Sequence, residues 1–135
     1  MTSDNQRLNA VEEMARGDEA GRAAQELLRL ELYNDAISRA YYAAYHWARA
    51  LLFSKGLESK THRDAIQLIG LHFVRTGLLS DDAARSLARL EDAREASDYT
   101  ASVRFSADEA RDAIQQAQAF IHACRPLVTR PLSAP

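Results

Sequence analysis

The stretch Ser38-Arg39-Ala40-Tyr41-Tyr42-Ala43-Ala44-Tyr45-His46-Trp47 decides the fold of this 135-residue chain. Apolar residues in and around it recur at alternating spacings of four and three, which places them on one face of an α-helix. These residues are Ile37, Tyr41, Ala44, Ala48 and Leu51. A second stripe at helical spacing carries hydrogen-bonding groups: Arg39, Tyr42, His46 and Arg49. The segment therefore predicts a helix with one face in a core and another face that is polar.

The composition of the whole chain favours an all-α fold. Apolar residues make up 47% of the sequence, and only five Gly and three Pro occur. Ala, Leu and Arg dominate, and all three rank high in helix propensity. The breaks between periodic segments are short, so consecutive helices are expected to pack antiparallel. The sequence predicts an up-and-down bundle of four to five helices.

Capping residues predict where the later helices begin. Asn34 and Asp35 are good N-caps for the aromatic helix, which should end at Lys55-Gly56. Capping patterns of a hydroxyl followed by a carboxylate predict three further helices. These begin after Thr61, Ser80 and Ser106, and the first of them is expected to run to Arg75.

The first helix and the C-terminus are harder to place. A helix is predicted over residues 3–30. Its expected core positions are Leu8, Val11, Ala15, Leu27 and Leu28. Gly17 and Gly21, however, predict a break within this helix. We therefore expect residues 1–20 to be a frayed helical extension and residues 20–126 to form the bundle. Pro126 should stop the last helix, which leaves residues 127–135 as a flexible tail.

Charge and composition exclude several classes of protein. A formal net charge of −2 excludes a strongly basic protein that coats nucleic acid. The single cysteine, Cys124, lies on an apolar stripe and is typical of a reducing compartment. No apolar run is long enough to span a bilayer. We expect a cytoplasmic protein that does not associate with membranes.

No metal or cofactor site is expected. The four histidines, which are His46, His62, His72 and His122, are scattered along the chain and form no helical ligand pair. The sequence also lacks a glycine-rich phosphate loop.

Two segments carry residues suited to phosphate chemistry. In the polar stripe, the guanidinium of Arg39 could hold a phosphate and the imidazole of His46 could transfer a proton. The alternative is that the stripe is a polar seam, or covers a dimer interface. In the second segment, Arg94 and Asp98 are four residues apart and can pair on one helix face, as solvated surface pairs also do.

Several motifs together resemble small prokaryotic proteins of the HEPN-domain family, over about Ala20 to Cys124. The first is the helix from Tyr33 to His46. The others follow in the same order: Ala50-Leu51-Leu52 to Lys55-Gly56-Leu57, Lys60-Thr61-His62, Phe73 to Leu79, Arg94-Glu95-Ala96-Ser97-Asp98-Tyr99, and the closing segment from Ser106 to Phe120.

The resemblance implies a homodimeric helical bundle encoded beside a minimal nucleotidyltransferase as a toxin–antitoxin pair. Many HEPN proteins are also metal-independent endoribonucleases, in which an Arg holds phosphate and a His that follows after four to six intervening residues transfers protons. This chain departs from that pattern, since Tyr99 follows Arg94 where a His would stand. An Arg-to-His spacing does occur from Arg39 to His46, but chance alone predicts about one such match in this composition.

Three functions remain open from the sequence. The first is a HEPN component that binds nucleotide or RNA and a nucleotidyltransferase, through Arg39, Tyr42, Arg94, Asp98 and Tyr99. The second is an endoribonuclease toxin, with Arg39 and His46 as catalytic residues. The third is a helical dimerisation domain without a ligand.

Overall fold

A computed structural model describes residues 3–129, which form five helices. They are α1 (Ser3–Arg29), α2 (Tyr33–Ser54), α3 (His62–Ile69, continued by a π-helical turn, Gly70–Val74), α4 (Asp81–Tyr99) and α5 (Ala107–Thr129). No strand occurs in this part of the chain. The aromatic helix α2 is central, because it packs against each of the other four helices. The prediction of an all-α bundle is confirmed.

The core lies where the pattern of α2 predicts it. The apolar stripe from Ile37 to Leu51 is buried along its whole length. Trp47, on a different face of α2, is also fully buried. Phe73, Leu87 and Phe120 add large side chains from the other helices. Because α2 is enclosed on several sides, its polar residues Tyr42, His46 and Arg49 are held between helices and only partly reach solvent.

The contact between α1 and α2 differs from the prediction. Leu8 and Val11, which were expected in the core, are 56% and 50% exposed. Small residues line the buried face of α1 instead: Ala10, Gly17, Ala20 and Ala24. Small side chains let the two helix backbones approach closely. The predicted Leu27 and Leu28 do pack against the core, so the prediction is wrong for the first half of α1.

The predicted break at Gly17 is also wrong, because α1 continues without interruption through that residue. A Cβ atom at position 17 would lie 2.6 Å from Cδ1 of Trp47. Gly17 therefore serves close packing within a regular helix. Residues 1 and 2 lie outside the described range.

The caps of three helices are as predicted. Thr61 and Ser80 accept the backbone N–H groups of Asp64 and Ala83. Ser106 and Glu109 form a reciprocal capping box.

The predicted cap of α2 is wrong, since this helix begins at Tyr33 with no side-chain cap. The side chain of Asn34 instead accepts the N–H of Phe105 and donates to the carbonyl of Val103, each at 3.0 Å. Asn34 therefore fastens the loop between α4 and α5.

Two helix ends differ from the sequence prediction. After Ile69 the backbone widens into a π-helical turn, in which Arg75 N donates to Gly70 O at 3.0 Å. The buried residues Ala65, Ile69 and Phe73 are spaced by four, and a wider turn keeps Phe73 on the same face. Helix α5 likewise continues past Pro126 to Thr129, since Val128 gains burial against the core. The rest of the expected tail, residues 130–135, lies outside the described residues.

None of the helices described over residues 3–129 combines the length and the apolar character needed to cross a membrane.

Candidate functional site

The ring of Tyr42 is the centre of a group of polar side chains from three helices. The guanidinium carbons of Arg39 and Arg94 each lie 5.8 Å from its centroid. The imidazole rings of His62 and His46 lie 6.1 and 6.4 Å from it. We refer to these five residues as the Tyr42 cluster. The structure thus brings Arg39, His46 and Arg94 together around Tyr42, and it adds His62, which the sequence analysis did not select.

Arg94 is the buried cation of the cluster, with only 4% of its surface exposed. Its Nη2 donates to the carboxylate of Glu91 in the preceding turn of α4. Its Nη1 lies 3.4 Å from the hydroxyl of Tyr99 and 3.6 Å from Oδ2 of Asp98. Burial lowers the pKa of Arg94, but the hydrogen bonds and the charge of Glu91 outweigh it and leave the pKa above its usual value. The Nε–H is buried without a partner, so the charge is fixed but not fully satisfied.

A groove of about 530 Å³ opens beside Tyr42. It is lined by Leu27, Asp35, Ser38, Arg39, Tyr42 and Asp98. The hydroxyl of Ser38 donates to Asp98, which fixes that carboxylate between α2 and α4. Arg39 is exposed, and Tyr99 at the end of α4 is 76% exposed. An accessible guanidinium can hold a phosphate, and an exposed phenol ring can stack on a base.

His62 enters the cluster from the first position of α3. Its Nδ1 lies 2.6 Å from the hydroxyl of Tyr41, and its ring centroid is 4.3 Å from that of Tyr45. Oε2 of Glu91 lies 3.9 Å from the same Nδ1. Burial lowers the pKa of His62, and the charge of Arg94 adds to this while that of Glu91 opposes it. The ring is therefore neutral at neutral pH.

The Tyr41 hydroxyl that contacts His62 is also neutral. Burial, together with a hydrogen bond to Glu91 and the charge of that carboxylate, raises the pKa of Tyr41 far above its usual range. The sequence motif Lys60-Thr61-His62, which was part of the family resemblance, contains His62. The periodicity of α3 does not show which helix His62 contacts, so this motif was the only sequence signal for His62.

A sequence model of the HEPN domain matches residues 11–127 of this chain. The chain belongs to the HEPN family. A Methanocaldococcus jannaschii protein named "Putative toxin" is 37% identical over 99 residues, which cover 73% of each chain. A UPF0332 protein of Archaeoglobus fulgidus is 36% identical over 107 residues, or 79% of this chain and 85% of that one. A UPF0332 protein of Thermotoga maritima is 30% identical over 78% of this chain and 80% of its own length.

The far end of the polar stripe in this HEPN bundle is tied to α1. Nδ1 of His46 lies 2.7 Å from Oε2 of Glu13, and Nε of Arg49 lies 3.4 Å from the other oxygen. The Arg49 guanidinium also lies over the rings of Tyr45 and Phe53. His46 therefore contacts both the Tyr42 ring and a structural ion pair, which is the polar seam that the sequence left open.

Among the residues that the structure describes, no group of three or more His, Cys, Asp or Glu side chains could hold a metal ion. Cys124 is fully buried in the HEPN core, and burial raises the pKa of its thiol. It acts as a small apolar residue.

Proposed function

We propose that this HEPN protein is the toxin-like component of a cytoplasmic two-gene system and binds a nucleotide or single-stranded RNA in the groove beside Tyr42. The observation that carries the proposal is the arrangement of two arginines around the Tyr42 ring. Arg94 is buried with an unsatisfied Nε–H, while Arg39 is exposed at the groove.

Each residue of the proposed site has a distinct role. Arg39 contacts a phosphate directly, because it is the accessible cation of the groove. Tyr99 stacks on a base. Arg94 acts from behind Tyr42 and Asp98, where its fixed positive charge favours an anion in the groove. Asp98, held by Ser38, is suited to accept a hydrogen bond from a ribose hydroxyl or a base.

Binding is tested with a short fluorescent single-stranded RNA and with a fluorescent ATP analogue. Arg39→Ala and Tyr99→Ala should each weaken binding of the preferred probe roughly tenfold, since a base stacked on an aromatic ring is worth ~1–3 kcal/mol. Affinity should also fall as salt rises. Both residues are exposed, so neither change threatens the fold.

Arg85→Ala is the matched control, because Arg85 is an exposed arginine near the other end of α4. Its affinity should equal that of the wild type. Equal affinity of all three variants would contradict the proposed site. Binding of neither probe would favour the remaining alternative, a dimerisation domain without a ligand.

The proposed partners rest on the comparisons and on the family resemblance. The word "toxin" in the name of the Methanocaldococcus jannaschii relative supports a toxin-like role for this protein. The family resemblance supports a homodimer with a minimal nucleotidyltransferase as partner. Sedimentation of the purified protein should show a dimer. Co-expression with the nucleotidyltransferase of a neighbouring gene should yield a stable complex. A monomer that does not associate with that protein would contradict both assignments.

A second candidate function, metal-independent cleavage of RNA, is favoured by one observation. Two histidines and two arginines surround a single half-buried tyrosine, so a base and a phosphate-binding cation are both at hand. Cleavage of single-stranded RNA in EDTA, leaving a cyclic phosphate, is the test. No cleavage of any RNA in a broad panel would exclude this candidate and leave the binding function intact.

A further inference from the structure

We infer that His62, positioned by Tyr41 and Glu91, is the proton-transfer residue of the Tyr42 cluster. The inference rests on the second candidate function, because it names the residue that would carry out the chemistry. The sequence of α4 contains no histidine that could fill this role. It reaches the cluster from α3, a different helix, and its ring lies 6.1 Å from that of Tyr42.

The contacts at Nδ1 decide which nitrogen of His62 is free to react. The Tyr41 oxygen at 2.6 Å can accept a hydrogen bond from Nδ1–H. The carboxylate of Glu91 at 3.9 Å favours a proton on that same nitrogen. The proton of a neutral imidazole thus resides on Nδ1, and Nε2 keeps its lone pair. This arrangement resembles the general logic in which one group orients a histidine so that its other nitrogen can act as a base.

The charged groups that face His62 keep it neutral yet reachable. Glu91 and Glu95 favour its protonated form, Arg94 and Arg49 oppose it, and burial decides the balance in favour of the neutral ring. About 35% of the side chain remains exposed, so a ligand can approach. A neutral imidazole that is partly open to solvent can accept a proton at neutral pH.

His46 fits this role less well, although it was the histidine selected from the sequence. Its Nδ1 is bound to Glu13, its side chain is 19% exposed, and Arg49 completes the ion pair. These contacts link α1 to α2. The environment of His46 is that of a structural residue at the edge of the cluster.

The proposed step needs no reagent beyond the RNA. Nε2 of His62 accepts the proton of a ribose 2′-hydroxyl, and the 2′ oxygen forms a bond to the adjacent phosphorus. The bond from phosphorus to the 5′ oxygen then breaks, and that oxygen receives the proton from His62. The products are a 2′,3′-cyclic phosphate and a 5′-hydroxyl end. Arg39 stabilises the charge that develops on the phosphate.

The experiment separates chemistry from binding. Cleavage of single-stranded RNA is measured in EDTA, and binding is measured with the 2′-deoxy form of the same sequence, which cannot react. His62→Gln should lower the cleavage rate by ~10²-fold or more. Its affinity for the 2′-deoxy strand should stay within about twofold of wild type, which also shows that the variant is folded. His122→Gln, at an exposed position of α5, should change neither quantity.

Tyr41→Phe tests whether Tyr41 positions His62. A purely structural role of Tyr41 would leave the pH profile of cleavage unchanged. Without an acceptor for Nδ1–H, the protonated ring is less stable, so the acidic limb of the cleavage profile should move to lower pH. Absence of cleavage by the wild type would overturn the inference. So would a His62→Gln variant that cleaves normally, or a loss of cleavage caused by His46→Gln and not by His62→Gln. Failure of the wild type to bind the 2′-deoxy strand would instead overturn the proposed binding function.

Discussion

The two sides of α2 are packed by different kinds of contact. Toward α1, Gly17 lies against the buried ring of Trp47, whose Nε1–H donates to Asp18 at 3.0 Å. The buried face of α4 includes the charged Arg94 and Glu91 beside the apolar Leu87 and Leu90. Around Gly17 the first side is close packing of small and aromatic groups, and its ion pair of Glu13 with His46 and Arg49 is only partly buried. The second side holds an ion pair, with an Nε–H of Arg94 that has no partner.

This difference separates the residues that stabilise the bundle from those suited to act on a ligand. Close-packed apolar contacts contribute to stability directly, whereas a buried ion pair must first offset the cost of removing both charges from water. A hydrophobic pair would serve the fold of α4 at least as well. The charges of Arg94 and Glu91 therefore fit the proposed role of the Tyr42 cluster, in which a fixed cation and a positioned histidine would have a chemical use.

The largest effect is expected from breaking the ion pair. Arg94→Ala should lower the free energy of unfolding by about 3–5 kcal/mol, because it leaves the buried carboxylate of Glu91 without its partner. Urea denaturation followed by circular dichroism measures the loss.

Replacing both partners tests whether the charges are needed for the fold. The double variant Arg94→Met with Glu91→Leu should recover most of the lost stability, since neither charge then remains buried. It should still fail to bind the RNA probe. A double variant as unstable as Arg94→Ala alone would show that this side of α2 depends on its charges for folding.

A smaller loss is expected from crowding the other side. Gly17→Ala should cost about 1–3 kcal/mol, because the added Cβ would lie 2.6 Å from Trp47 and 3.0 Å from the carbonyl oxygen of Ala43. The loss is read from urea denaturation, and binding of RNA should not change.

Gly21→Ala is the matched control, one helical turn further along α1. Its new Cβ would meet nothing nearer than the Cβ of Ala43 at 3.9 Å. Because Ala favours a helix over Gly, this variant should gain about 0.5–1 kcal/mol. Equal effects at Gly17 and Gly21 would contradict the close contact with Trp47.

The sequence predicted what periodicity and caps can encode. The stripe of α2, the caps at Thr61, Ser80 and Ser106, and the all-α bundle all follow from patterns within one segment. The face of the first half of α1 was predicted wrongly, because helices also pack through small residues, which carry little hydrophobic signal. Asn34 was taken for a cap because its side chain suits one, while its actual partners lie 69 and 71 residues away.

The candidate site was only partly predictable for the same reason. Arg94 and Asp98 lie four residues apart on one helix, so the sequence shows that they can pair. The approach of Arg94 to the Tyr42 ring, beside which Arg39 also lies, depends on how α2 packs against α4. His62 depends on a third helix, and its selection required the contact with Tyr41. The contacts between helices are thus the part of the candidate site that the sequence alone did not predict.

The smallest expected effect is the contribution of His62 to the pH dependence of the free energy of unfolding. Burial holds the pKa of His62 below its usual 6.5, so the unfolded chain takes up a proton before the folded protein does. The unfolded state then binds more protons, and the free energy of unfolding should decrease as pH falls below about 6.5, levelling off below the folded pKa. His62→Gln removes this contribution. Urea denaturation across this pH range should therefore show that the free energy of unfolding varies less steeply with pH in the variant than in the wild type.

The control is His122→Gln, at an exposed histidine, which should keep the pH dependence of the wild type. A steeper slope for His62→Gln would mean that the folded protein stabilises the protonated ring, in which case Glu91 rather than burial dominates its surroundings and His62 could not serve as a neutral base.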